Sequence, residues 1–314
     1  MKQLSLVICV YNEELNIKPL SEQIKSALKD FDYEAIFVDD GSTDRTREEV
    51  RAINDEHFLL LELKKNYGQS SALQAGIDAA TGEYIALIDG DLQNDPNDIP
   101  MMLKMAAEGE WDMVAGVRAN RKDGAFLRKL PSKVANYLIR EATGIRMKDL
   151  GCTLKVFTHE AIKSIHIYGE LHRFIPALLA LEGSTRLTQV DVNHRAREFG
   201  KSKYNLSRTT RVFSDLVLMV FFKKYMQRPM HFFGGIGIVT LALGFLINFY
   251  LLILKLFGYD IWGKPILILG MILLMGGIQL MTIGIVAEML MRTYYEGQGK
   301  KPYRVRRLET TRKN

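Results

Sequence analysis

Cysteine is nearly missing from this sequence. The two present, Cys9 and Cys152, sit in apolar surroundings at a spacing that makes neither a disulfide framework nor a metal knuckle, which suits a reducing compartment. An export signal is also lacking: the first fourteen residues hold one lysine and a short apolar run, Leu4–Val10, before Glu13 and Glu14. That run reads as a first β-strand. No internal repeat or low-complexity stretch is present. The most informative absence is charge. Residues 232–254 and 265–287 contain no Asp, Glu, Lys or Arg, in a chain with 25% charged residues overall. At ~1.5 Å per helical residue each run spans roughly 34 Å, enough to cross a ~30 Å hydrocarbon layer. As core helices of a soluble protein they would have to be apolar on every side, so a membrane hairpin is expected.

The net charge of +6 is unevenly placed. Between Arg195 and Pro229 stand nine Lys or Arg against two acids, Glu198 and Asp215. Beyond the second apolar run come Arg292, Lys300, Lys301, Arg304, Arg306, Arg307, Arg312 and Lys313, whereas the turn between the runs has only Lys255 and Lys264. The positive-inside rule then puts the amino-terminal domain and both termini in the cytoplasm. These basic residues bracket apolar spans, so lipid headgroups are the expected partner and nucleic acid is not. Residues 206–230 place Val212, Phe213, Leu216, Val217, Val220, Phe221 and Tyr225 on one helical face, the pattern of an amphipathic juxtamembrane helix. An ordinary packing helix has the same pattern. The expected organisation is a domain over 1–205, this helix over 206–230, two spans within 231–291, and a basic tail over 292–314. Glycines in the spans (Gly234, Gly235, Gly237, Gly276, Gly277) allow close helix contacts, including those of a homo-oligomer.

Within residues 1–205, short apolar runs (Leu4–Val10, Ala35–Val38, Phe58–Leu63, Tyr84–Ile88, Met113–Val117) alternate with amphipathic helical patterns near Glu14–Asp30, Thr43–Asp55, Gln69–Ala80 and Asn97–Glu108. This alternation predicts an α/β fold, a mostly parallel sheet with helices on both faces. Ligands of such sheets lie outside the carboxyl ends of the strands. The residues found there are suggestive. The first strand runs into Val10-Tyr11-Asn12-Glu13, and the second into Asp39-Asp40-Gly41-Ser42-Thr43-Asp44. Acidic side chains at these tips suit a nucleoside's base N–H and ribose hydroxyls, although a plain strand–turn–helix corner has the same composition. The fourth strand runs into Asp89-Gly90-Asp91-Leu92-Gln93. Two carboxylates one residue apart can grip a hard cation, Mg²⁺ or Mn²⁺, and through it a diphosphate. Downstream lie Arg118, Arg121, Arg128 and Lys133, then the dense run His194-Arg195-Ala196-Arg197-Glu198-Phe199-Gly200-Lys201-Ser202-Lys203-Tyr204, which suits phosphate capture. His194 is well placed, yet a structural hydrogen bond explains it equally well.

Together these stretches, with Asn66-Tyr67-Gly68-Gln69 and Asp149-Leu150-Gly151-Cys152, resemble family 2 glycosyltransferases of the GT-A fold, in the branch that acts on polyprenyl phosphates. Within the branch the formamido-arabinose transferases look nearest, and the undecaprenyl-phosphate glucosyltransferases and dolichol-phosphate mannose synthases are similar too. The resemblance implies a Rossmann-like GT-A domain and transfer of a sugar from a nucleotide donor to polyprenyl (undecaprenyl) phosphate. UDP-sugar is the favoured donor, with GDP-mannose an alternative. It implies that Val10, Tyr11, Glu13, Asp39, Asp40, Asp89, Gly90 and Asp91 meet the nucleotide-sugar. Asp89, Asp91 and Gln93 would hold Mg²⁺ or Mn²⁺, and Arg118, Arg128, Lys133, Arg195, Lys201, Ser202 and Lys203 would meet phosphates. Asp149 matches a position proposed as base or acceptor-site residue, so Asp89, Asp91 and Asp149 are the expected catalytic carboxylates. Val10 replaces a proline common in the family. Two rivals stay open: a processive polysaccharide synthase, which usually carries more spans and a Gln-x-x-Arg-Trp motif not found here, and a sugar-nucleotide-binding protein without catalysis.

Overall fold

Residues of β1 (Leu4–Val10) alternate between two apolar clusters, Leu4, Leu6, Ile8 and Val10 facing one and Val7 the other. That is the period-2 signature of a sheet covered on both faces. The computed structural model describes residues 2–118, 147–167, 169, 171–183, 186–196, 225 and 229–297. The chain forms two units, Met1–Met219 and Val220–Asn314.

In the first unit, β1 is joined by β2 (Tyr33–Asp39), β3 (Phe58–Glu62), β4 (Tyr84–Asp89), β5 (Met113–Arg118), β6 (Lys155–Thr158) and β7 (Leu187–Val192), in the spatial order β3-β2-β1-β4-β6-β5-β7. β1 to β4 are mutually parallel, and β7 runs parallel to β5. β6 lies antiparallel between β4 and β5, pairing Lys155 with both Leu87 and Ala115. The helices α1 (Glu14–Ala27), α2 (Thr46–Arg51), α3 (Gln69–Ala79) and α4 (Ile99–Glu108) occupy the expected places, followed by α5 (His159–Lys163) and α6 (Ile175–Leu181). α2 is shorter than the sequence suggests, because Asp44 Oδ1 accepts the Thr46 N–H at 3.0 Å and sets the helix start there. α4 begins after a 3₁₀ turn at Pro96–Asp98, where Asp95 accepts the Asn97 N–H at 3.0 Å. One cluster packs Leu73 and Ile77 of α3 on Val7, Ile36, Val38 and Leu87; the other packs Ile17, Leu20 and Ile24 of α1 and Met102 of α4 on Leu6, Ile8, Phe37 and Ile88. Truncating one such buried aliphatic to alanine costs about 2–5 kcal/mol.

The second unit contains α7 (Pro229–Leu256) and α8 (Pro265–Gly297). Both are long and apolar enough to cross a membrane, with mean hydropathy 2.3 in each. Only 17% and 11% of their most apolar stretches are buried, unlike the core helices of a soluble domain. Their contact is a glycine seam. A Cβ on Gly237 would lie 2.9 Å from the Gly277 carbonyl oxygen, and one on Gly277 would lie 2.7 Å from the Leu241 nitrogen. Gly235 and Gly276 have nothing within 4 Å of that position, so they stand outside the seam. Apart from Tyr225, Pro229 and Met230, the juxtamembrane helix expected over 206–230 lies outside the described residues, as does most of the basic tail.

Candidate active site

The loops leaving β1 and β2 are laced together by side chains. Asn12, in the left-handed region at φ 53°, accepts the Thr43 N–H at 2.8 Å, while its own N–H donates to Ser42 Oγ at 2.9 Å. Gly41 has φ +75°, and a Cβ there would stand 2.5 Å from the Lys65 carbonyl carbon; only glycine permits that approach. The adjacent acids Asp39 and Asp40 then separate. Asp39 is wholly buried, accepts the Ser42 N–H at 3.1 Å, and lies 3.9 Å from Arg47 Nε. Asp40 accepts the N–H groups of Tyr67 and Gly68 at 2.7 and 2.9 Å, fastening the β3–α3 loop. Burial pushes its carboxyl above the usual range, against the pull of those two bonds.

A cavity of about 440 Å³ opens at the carboxyl ends of β1 and β4. Val10, Tyr11, Glu13, Asp40, Asn66 and Gly68 form one part of its wall. Asp89, Gly90, Asp91, Gln93 and Asn94 form another, and Gln69, Arg118, Gly151, Thr153, Lys155, His172, Arg173 and His194 also line it. Asp39 is not on the wall; its side chain belongs to the turn behind it.

Asp89 is held from two sides: Gln69 Nε2 donates to Oδ1 at 2.8 Å and Thr153 Oγ1 to Oδ2 at 2.6 Å. Leu92, buried and in the left-handed region at φ 61°, turns the chain so that the Gln93 N–H reaches Asp91 Oδ1 at 3.2 Å. The segment after β7 closes on this loop through a bridge between Asn94 and His194 and a bond from the Arg195 N–H to the Gln93 carbonyl at 2.8 Å. Among the described residues no group of three His, Cys, Asp or Glu forms a ready metal cluster. Asp91 and Gln93, with His194 on the same wall, supply part of a donor set suited to a hard divalent ion. Such ions usually keep waters and take substrate phosphate oxygens as further ligands.

Asp149 does not line the cavity; it grips Arg118, which does. Arg118 Nε and Nη2 donate to its two oxygens at 2.7 and 2.9 Å, and the Gly151 N–H adds a bond at 3.0 Å. Burial opposes ionisation, but the bonds and charge of Arg118 outweigh it and hold the carboxyl below its ordinary pKa. Both oxygens are thus engaged with a guanidinium, which suits positioning better than proton abstraction. Arg195 is not on the cavity wall. Its guanidinium pairs with Asp95 and donates to Gln23 Oε1 of α1 at 3.1 Å. Arg128, Lys133, Lys201, Ser202 and Lys203 lie outside the described residues.

Among the wall residues without an assigned role in the sequence reading are Gln69, Thr153, Lys155, His172 and Arg173. Lys155 had the clearest signal, a lysine inside the apolar run Leu154–Phe157. It is 2% exposed, its Nζ donates to the Cys152 carbonyl, and burial lowers its pKa against the fields of Cys152, Asp149 and Asp89. Cys152 is buried and Cys9 partly so, and desolvation raises the pKa of both thiols, which leaves them unsuited to nucleophilic work.

Residues 5–165 match the family described as Glycosyl transferase family 2. The chain is 47% identical, over 98% of its length and 93% of the relative's, to a dodecaprenyl-phosphate galacturonate synthase of Rhizobium johnstonii. It is 35% identical, over 98% and 94%, to an undecaprenyl-phosphate 4-deoxy-4-formamido-L-arabinose transferase of Yersinia pestis. Among solved structures, glucosyl-3-phosphoglycerate synthase from Mycobacterium tuberculosis, in complex with Mn²⁺, uridine diphosphate and phosphoglyceric acid, superposes with a TM-score of 0.57 at 18% identity, covering 71% of this chain and 78% of that one. That likeness concerns the fold alone.

Proposed function

The chain belongs to glycosyl transferase family 2, in its polyprenyl-phosphate branch, and from that premise we propose that it transfers a uronic acid, galacturonate first among candidates, from UDP to a polyprenyl phosphate. The observation that carries the reading is one cavity in which Asp89, Asp91 and Gln93 share a wall with Arg118 and Lys155. It can hold a metal-bridged diphosphate beside a second anion. The 47% identity to a galacturonate synthase favours the uronate; a 4-formamido-pentose is the second candidate, from the transferase relatives.

The acceptor is a phosphate monoester with a second pKa of about 6, so near neutral pH it is already ionised. Its oxygen attacks the anomeric carbon in line with the departing UDP, inverting that centre, and no strong base is needed. A divalent ion, Mg²⁺ or Mn²⁺, would neutralise the charge growing on the leaving diphosphate. Asp91 and Gln93 orient the diphosphate end, with His194 beside them. Asp89, fixed by Gln69 and Thr153, faces the donor. Arg118, aimed by Asp149, meets the incoming phosphate. Preorganised charge and alignment supply the acceleration. The helices α7 and α8 would anchor the enzyme in the inner membrane, with the sheet domain and both termini cytoplasmic, a reading that the placement of basic residues supports.

Purified full-length enzyme given undecaprenyl phosphate and a panel of UDP- and GDP-sugars tests this, with the lipid product read by mass. The expected product is a polyprenyl-phosphate-linked uronate. Transfer of a neutral hexose in preference to every anionic donor, or no dependence on the lipid phosphate, would sink the proposal.

A further inference from the structure

The cavity wall includes a 3₁₀ turn, Leu171–Phe174, whose polar pair has no task in the transfer described above. Leu171 and Phe174 are 2% and 3% exposed and join the core cluster under α3. With both ends of the turn anchored, the two residues between them, His172 and Arg173, form wall. His172 is fixed further: its backbone N–H donates to Ser70 Oγ at 3.3 Å, and its Nδ1 lies 2.8 Å from the same hydroxyl. When the hydroxyl donates its proton to Nδ1, the ring proton sits on Nε2, and the imidazole presents a donor there. Ser70 is 1% exposed and stands next to Gln69, whose side chain holds Asp89. The histidine and the carboxylate that faces the donor line the same cavity, each held by a residue at the start of α3.

The wall near this pair also includes Ala72, Leu73, Leu87 and Ile175. Hydroxyls of a neutral sugar are met by groups that both donate and accept. An arginine and a histidine donor over an apolar floor match a group that only accepts, above all a carboxylate, which a guanidinium can fork. Resting on the uronate reading above, we infer that His172 and Arg173 are specificity-determining residues that bind the C6 carboxylate of the donor sugar. The nucleoside is read by the loops of β1 and β2, the diphosphate by the loop after β4, and the sugar's charge by the 3₁₀ turn.

Two donors isolate this group: UDP-galacturonate and UDP-galactose, which differ only in carboxylate versus hydroxymethyl at C6. Full-length wild type, Arg173→Gln, Arg173→Lys and His172→Gln would be assayed in detergent with undecaprenyl phosphate. The readouts are kcat/KM for each donor and KM for the acceptor, with binding of UDP alone reporting an intact nucleotide site. Losing one bond to a charged group is worth about 10- to 100-fold. Arg173→Gln is therefore expected to lower kcat/KM for UDP-galacturonate by that factor more than for UDP-galactose, with Arg173→Lys recovering part of the difference and acceptor KM unmoved. Equal losses with both donors, or a rise confined to acceptor KM, would assign the pair to the lipid phosphate or to the scaffold and overturn the inference. A wild type that prefers galacturonate, with variants that keep its preference, overturns the inference alone. A wild type indifferent to the C6 group overturns the uronate reading and this inference together.

Discussion

Asp91 lines the cavity and Asp149 stands behind Arg118, and in the proposed mechanism these surroundings would give them different work. Asp91 is 7% exposed on the cavity wall, in a turn shaped by the strained Leu92. Asp149 is forked by Arg118, and its carboxyl sits below the ordinary range. A group whose folded pKa is depressed contributes its stability in full above the unfolded value and loses it only as pH falls through the folded one. The Arg118 clamp should therefore outlast the pH at which free carboxylates protonate. If Asp149 only positions Arg118, Asp149→Asn lowers kcat by about 10- to 100-fold through misalignment and leaves the acid limb of the pH–rate profile in place. That limb belongs to the acceptor phosphate. Asp91→Ala, which removes charge stabilisation at the leaving group, is expected to cost about 1000-fold or more. Radiolabelled donor and a pH series on both variants check this; disappearance of the acid limb in Asp149→Asn would restore the base.

At the scale of elements, the glycine seam of the hairpin makes a contrast that one pair of substitutions reads. Gly277→Val puts side-chain atoms where Leu241 stands under 3 Å away, whereas a methyl on Gly276 meets nothing. Overpacking of this kind costs about 1–3 kcal/mol. Gly277→Val should lower the thermal midpoint of the detergent-solubilised protein and Gly276→Ala should not; equal midpoints would mean that the helices part without cost. The same scale shows what the sequence could disclose. Apolar runs and helical spacing marked β1 to β5 and α1 to α4 because each buries a face of its own. β6 has four residues, one of them a buried lysine, and β7 reads Leu-Thr-Gln-Val-Asp-Val, with two polar residues in succession. Neither stands out without the neighbours it pairs with. Period-2 alternation implies that Asp39 and Asp40 face opposite ways, but not which one meets the cavity. The pairing of Arg195 with Asp95 was not legible either, because the two stand a hundred positions apart and are neighbours only in space. The cavity-wall residues after β4 were legible because they leave a strand end directly; the 3₁₀ turn was not, since a histidine and an arginine between a leucine and a phenylalanine look like any surface.

For the whole molecule, the donor set on the cavity wall is incomplete by itself, so turnover should vanish with a chelator and return with Mn²⁺ or Mg²⁺; undiminished transfer in excess chelator would contradict the metal role. Fold and anchor come from separate stretches of chain, and the sheet is assembled out of sequence order. β5 is synthesised before β6 but never touches β4, because β6 takes the place between them with Tyr84 beside Thr158 and Met113 beside Phe157. Until that late strand arrives, β4 is left with an open edge, and such edges recruit wrong partners. Joining distant strands is also slow. The nascent chain thus has a waiting period in which half of its sheet is exposed, and crowding, chaperone supply or a pause in translation near residue 155 would decide how much polypeptide survives to become enzyme.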